Sequence, residues 1–236
     1  MFLCIKKFDI ISLIMSIIIV VLCCLIVSIC FRVTTTSALP ITNKTIIIDA
    51  GHGLPDGGAV GINGSVEQGI NLDITLKLQR LLEQSGANVI LTRSDNNAIY
   101  LNDSERIKNN KINDLKLRKS IIESSNSDIF ISIHMNKFEQ SKYRGAQVFY
   151  SEFPNESELL AKLIQSNIKL IADQNNNRQI KVNKDVFLLK NTKIPSVLIE
   201  CGFISNPEEE KLLNDEIYQN KIVYAIYHGI LDYFEK

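Results

Sequence analysis

The chain has 236 residues, with 26 basic and 26 acidic side chains and 45% hydrophobic content. Leaving aside Lys6, Lys7, Asp9 and Arg32, residues 39–236 carry 23 basic and 25 acidic groups, with no basic block. That balance excludes a nucleic-acid ligand, which needs phosphate-neutralising cations, and about 200 residues suffice for one α/β domain with a proper core.

Residues 10–30, IISLIMSIIIVVLCCLIVSIC, hold no charge over 21 positions. That length spans a bilayer as a helix and exceeds the apolar region of most cleaved signals. Lys6 and Lys7 before it, against Arg32 after it, predict a cytoplasmic N-terminus and an exported body. An anchor is therefore preferred. The sequence TTTSA, ending at Ala38, leaves a cleaved signal as the alternative. Cys23, Cys24 and Cys30 lack the small-residue pattern of a lipoprotein site. Residues 1–32 are read as the membrane segment, 33–44 as a polar linker and 45–236 as a single domain. Cys201 alone remains in that domain, so neither an internal disulfide nor a Cys-rich zinc site can form there.

Strands are predicted at 45–49, 88–92, 129–133, 145–150, 186–189 and 196–200. Several of these are continuously apolar, as in strands covered on both faces. Helices are predicted between them. In 68–85, Ile70, Ile74, Leu78, Leu81 and Leu82 share a face, and 114–124 also fits a helix. In 156–172, Leu160, Ile164, Ile168 and Ile171 share a face, with Asn155 as cap and Glu158 three residues on. In 216–235, Tyr218, Ile222, Ile226, Ile230 and Phe234 form a stripe. The stretch 173–185 reads as a surface loop, and the Glu residues of NPEEE (206–210) read as charges suited to a helix N-terminus. The fold class is α/β: a central, mostly parallel or mixed six-stranded sheet flanked by helices.

Sites in such sheets gather beyond the C-terminal strand ends. Three strands end there in chemistry-bearing residues: IIIDAGHG delivers His52, DIFISIHMN delivers His134 and PSVLIECGF delivers Glu200. Glu67 opens the helix after a Gly-rich loop. Two of only three histidines lie at equivalent strand ends. Two imidazoles with one carboxylate form the shell of many hydrolytic zinc sites, and a second carboxylate can carry the proton. Gly51 and Gly53 would keep bulk from the metal. Asp49 and Asp56 are candidate partners for imidazole N–H groups, Asp49 being equally suited to capping a turn. His228 reads as a solvated surface histidine. Cys201 points away from the site if Glu200 points towards it, and reads as a small buried hydrophobe.

In this order, IIIDAGHGLPDGGAVG, VEQGINLDITLKLQRLL, VILTR, DIFISIHMN, RGAQVFY and PSVLIECGFISNPEEEKLL resemble zinc-dependent N-acetylmuramoyl-L-alanine amidases of the amidase-3 family. The resemblance covers residue 45 to the end. It implies Zn2+ held by His52, Glu67 and His134, with Glu200 catalytic and Asn136 close to the substrate. The implied reaction hydrolyses the amide between N-acetylmuramic acid and L-alanine in peptidoglycan. Leu54, Pro55, Met135 and Lys137 depart from the family pattern around the groove and leave the ligand positions intact. A membrane segment before a domain without wall-binding repeats most resembles the sporulation amidases of the CwlD type. That implies action on spore cortex, a product leading to muramic-δ-lactam, a location outside the cytoplasmic membrane or in the spore intermembrane space, and a possible protein activator. The alternatives are a membrane-tethered wall-binding protein with little catalysis, and a zinc hydrolase acting on another wall-derived amide.

Overall fold

The computed structural model describes residues 7–33, 38–100, 102, 104 and 106–236. They fall into two compact units, one before and one after the Ala38–Leu39 bond. The first is helix α1, Lys7–Val33. At about 1.5 Å per residue its 27 residues run roughly 40 Å. The stretch Ile10–Ser28 is long and apolar enough to cross a membrane, and none of it is buried. Lys6 and most of the TTTSA sequence lie outside the described residues.

In the second unit six strands make one sheet: β1 (Thr45–Ala50), β2 (Asn88–Leu91), β3 (Ile129–Asn136), β4 (Gln147–Tyr150), β5 (Lys181–Val182) and β6 (Ser196–Phe203). Their spatial order is β2-β1-β3-β6-β4-β5. The first four in that row run parallel, β4 runs antiparallel to β6, and β5 parallel to β4. The sheet is thus mixed and six-stranded, as the sequence predicts.

Alternation along each strand divides the core. Ile46, Ile48, Ile129, Ile131, Ile133, Val197, Ile199 and Cys201 pack beneath helices α2 (Glu67–Gln84), α4 (Glu156–Asn167) and α6 (Glu216–Glu235). Ile47, Phe130 and Leu198 point the other way, towards Ile122 of helix α3 (Ile107–Ser124) and Leu188 and Leu189. The same parity puts Asp49, Ser132, His134 and Glu200 on the α3 side. The chain passes from β1 through α2 to β2, then back through α3 to β3 on the far side of β1. The strand order therefore reverses between β1 and β3, and a crevice opens at their C-terminal ends.

The structure departs from the sequence reading at several elements. Residues 186–189 are not a strand: Phe187–Leu189 form a 3-10 turn that buries Leu188 and Leu189 under the sheet and leaves Phe187 exposed. A short apolar run looks the same in either case. The sixth strand is instead β5, two exposed residues inside the stretch read as loop. Helix α4 stops at Asn167 and passes into a π turn, Ile168–Ala172. Asn155 does not cap it; its own backbone is already helical and its side chain makes no cap bond. Asn206 does cap helix α5 (Pro207–Leu213), accepting from the Glu208 and Glu209 amides.

Candidate active site

Residue 52 follows β1 with φ 63, in the left-handed region that few non-glycine residues adopt. This turn aims the imidazole back over the strand end. Its Nδ1 lies 3.0 Å from Asp56 Oδ2, and its Nε2 lies 3.2 Å from Glu67 Oε2. Glu67 is the first residue of α2, and its side chain is buried. Its Oε2 accepts from the Ala59 amide and its Oε1 from the Met135 amide, at 2.8 and 3.0 Å. His134 Nδ1 sits 3.0 Å from Oε1. The two imidazole rings meet edge to face at 5.1 Å. One ligand-type atom from each of His52, Glu67 and His134 falls within 4.8 Å of the others.

The donor set fits a metal. Two imidazole nitrogens and one carboxylate converge, which suits a divalent ion of the zinc type. Asp56 holds the outer nitrogen of His52, fixing the tautomer a ligating imidazole needs. Burial alone would lower the His52 pKa, but Asp56 and Glu67 outweigh it and raise the ring to about 9. Burial would raise Glu67, yet His134 and His52 hold it well below the usual carboxylate range.

Glu200 stands beside His134 in register across β3 and β6. Burial, with Glu67 nearby, pushes its carboxyl up to about 7, against the pull of His134 and His52. Its Oε2 is buried without a hydrogen-bond partner. Glu200, His52 and His134 all line one cavity of about 270 Å³. Leu115, Val186, Phe187, Leu188 and Leu198 form its apolar wall, and Lys111, Arg118, Asp49, Asp56 and Asp114 its polar side. Asn136 does not line it; it ends β3 past a register shift, and its carbonyl accepts from Ile204.

Several neighbours differ from their sequence reading. Asp49 neither holds an imidazole nor caps a turn. It accepts from Thr92 Oγ1, Ser132 Oγ and Arg118 Nη1 at 2.7, 2.6 and 2.7 Å, because its parity faces α3 and not the loop. Gly51 clears the site as expected: a Cβ there would lie 2.3 Å from the His134 ring. Gly53 instead abuts the backbone of Asn97 and Ala98, and Gly58 is the second glycine that makes room, against Glu67 Oε2 and His52. Gly51→Ala is expected to displace the His134 ring and cost about 1–3 kcal/mol in urea unfolding, the range for overpacking a tight interior.

The NPEEE carboxylates reach farther than a helix dipole. Glu210, buried, accepts from the Asn63 amide, its side-chain amide and the Ser65 amide, and packs against Gly61. Glu209 accepts from the Gly145 and Phe203 amides. His228 is exposed and Cys201 fully buried, as predicted.

The Amidase_3 family, N-acetylmuramoyl-L-alanine amidase, matches residues 46–232. The chain belongs to this family and is an amidase acting on peptidoglycan. Within it, the chain resembles the CwlD type. It is 51% identical to the CwlD amidase of Clostridioides difficile, solved in complex with the GerS lipoprotein, with a TM-score of 0.80 over 82% of this chain and 99% of that one. It is 38% identical to the germination-specific N-acetylmuramoyl-L-alanine amidase of Bacillus subtilis, over 84% of this chain and 82% of that protein. The catalytic domain of CwlV from Bacillus (Paenibacillus) polymyxa is 31% identical, with a TM-score of 0.69 over 81% of this chain and 98% of that one.

Proposed function

We propose that the chain is a zinc amidase that releases stem peptides from peptidoglycan, with His52, Glu67 and His134 holding the metal and Glu200 moving the proton. The reading rests on one observation above all: three ligand atoms come together, and beside them Glu200 holds a buried oxygen without a hydrogen-bond partner among the described residues, at the crevice between β1, β3 and β6. When bound, zinc polarises a carbonyl and acidifies water. His52 and His134 present their rings from the C-terminal ends of the neighbouring parallel strands β1 and β3, and Asp56 keeps the first oriented. Glu200, with a carboxyl near pH 7, takes the proton from the attacking water and hands it to the nitrogen of alanine as the amide breaks. The products are a lactyl carboxylate on the glycan and a free peptide amine. Asn136, the last residue of β3 and outside the cavity lining, would touch substrate that extends past that strand end.

Residues 1–32 are proposed as a membrane segment, 33–44 as a linker and 45–236 as the catalytic domain, which places the enzyme outside the cytoplasmic membrane. The likeness to a germination-specific relative and to CwlD supports a role in spore cortex, and the relative solved with a lipoprotein supports a protein partner here.

Two measurements test the reading. Mass spectrometry of digested muropeptides is expected to find free stem peptides beginning with alanine; products cut elsewhere would replace this substrate assignment. Metal analysis is expected to find close to one zinc per wild-type chain and a large loss in His134→Ala. No metal in any preparation would favour a wall-binding protein instead.

A further inference from the structure

Two cations line the cavity beside Glu200, and they differ in what they have left to give. Arg118 is 1% exposed, and its guanidinium is occupied by Asp49, Asp114 and the carbonyls of Ala50 and His52. Lys111 stands at the mouth with its side chain 48% exposed. Its Nζ lies 2.9 Å from Asp56 Oδ2, the oxygen that also meets His52 Nδ1. An ammonium has three N–H donors. Asp56 takes one and leaves others for a second acceptor.

We propose that Lys111 is a specificity-determining residue that binds the free α-carboxylate of the second stem-peptide residue, on the leaving-group side of the scissile amide. The inference rests on the reading of His52, Glu67, His134 and Glu200 as the reaction centre. A stem peptide that continues from alanine into a γ-linked D-glutamate carries this carboxylate five bonds from the scissile nitrogen, within about 7 Å, the extended span of two residues. Lys111 is reached from the Glu67 carboxylate through the His52 ring and Asp56, by contacts of 3.2, 3.0 and 2.9 Å. It thus stands one Asp56 oxygen beyond the His52 ring and lines the same cavity as Glu200. Glu200 and Lys111 line the same cavity, so a leaving peptide held there would meet both the proposed proton carrier and the cation. The rest of the polar lining argues for a cation too. Asp49 and Asp114 are matched by Arg118, and without Lys111 an entering anion would meet an Asp56 carboxylate whose one remaining ion-pair partner among the described residues is the His52 imidazole.

The test uses two soluble muramoyl tripeptides that differ only in the second residue, D-glutamate or D-isoglutamine, whose carboxylate is an uncharged amide. The ratio of their kcat/KM values is measured for the full-length wild type, Lys111→Met and Lys111→Arg. Wild type is expected to prefer the carboxylate substrate by about tenfold, the loss typical of one charge-assisted hydrogen bond. The ratio should fall to near one in Lys111→Met and recover most of its value in Lys111→Arg. A wild type without preference overturns the proposal. So does a Lys111→Met enzyme that slows on both substrates with the ratio intact, which would assign Lys111 to steadying Asp56. If wild type hydrolyses neither substrate, the reaction-centre reading falls along with this one; if it hydrolyses both equally, Lys111 alone is refuted.

Discussion

Glu200→Gln is expected to keep its zinc and to lose hydrolysis by roughly 10²–10⁴-fold, the range for removing a positioned general acid–base. The two outcomes separate because Glu200 is not in the His52–Glu67–His134 cluster. Glutamine keeps the shape and cannot accept a proton from water. The substitution should also relieve a cost. Burial raises the Glu200 carboxyl to about 7, so folding favours its protonated form. That contribution is fully present below the ordinary carboxylate range, near pH 4.5, and is lost as pH rises through 7. The metal-free Glu200→Gln protein should accordingly melt higher than metal-free wild type at pH 8, with the difference fading towards pH 4.5. Normal turnover on purified peptidoglycan would remove Glu200 from the mechanism, whatever the melting curves show.

The largest stability effect is expected at Arg118. Arg118→Met should cost about 3–5 kcal/mol in urea unfolding at pH 7, the range for stranding a buried charge partner. It leaves Asp49 and Asp114, both buried, without the guanidinium they meet at 2.7 Å. It also takes the guanidinium from the His52 carbonyl, which it meets at 2.6 Å, and leaves the Ala50 carbonyl, which it meets at 2.7 Å, with Arg93 Nε at 2.8 Å. Hydrolysis should fall with stability, although Arg118 touches no proposed ligand side chain. The pH dependence identifies the cause. In wild type, burial would raise Asp49, but Arg118 and Ser132 outweigh it and hold it at about 2. Its favourable contribution is present above the ordinary aspartate range and is lost only as pH falls towards 2. Without Arg118, Asp49 should protonate at much higher pH and shed its penalty. The gap between variant and wild type should therefore shrink from pH 7 to pH 4.5. A gap of constant size would point to lost packing instead of the ion pairs.

What the sequence revealed about this site depended on distance along the chain. His52, His134 and Glu200 were legible because each ends an apolar run, and parity alone puts Glu200 and Cys201 on opposite faces. Glu67 was legible as the start of an amphipathic helix. Most of the surroundings were not, because they are contacts between segments far apart. Nothing in KINDLKLRKS announces that Arg118 crosses to residues 49–52, or that Lys111 lies beside Asp56. The start of α3 at Ile107 was missed because its first turns, IKNNKIN, are mostly polar. The 186–189 run was misread because apolarity does not tell a buried turn from a strand. Gly58 was one glycine among many in its loop until its neighbours were known.

The Glu210 clamp has a consequence for how the enzyme is made. The loop that leads into Glu67 is fastened by a side chain some 145 residues farther along. Synthesis proceeds from the N-terminus, so His52, Glu67 and His134 all exist well before the carboxylate that ties down the loop between the first two. Contacts of such long sequence separation close late in folding. The nascent chain thus holds every proposed metal-binding side chain while the loop that sets their spacing is still unfastened, and the last eighth of the polypeptide acts as the latch on a site to which it contributes no ligand.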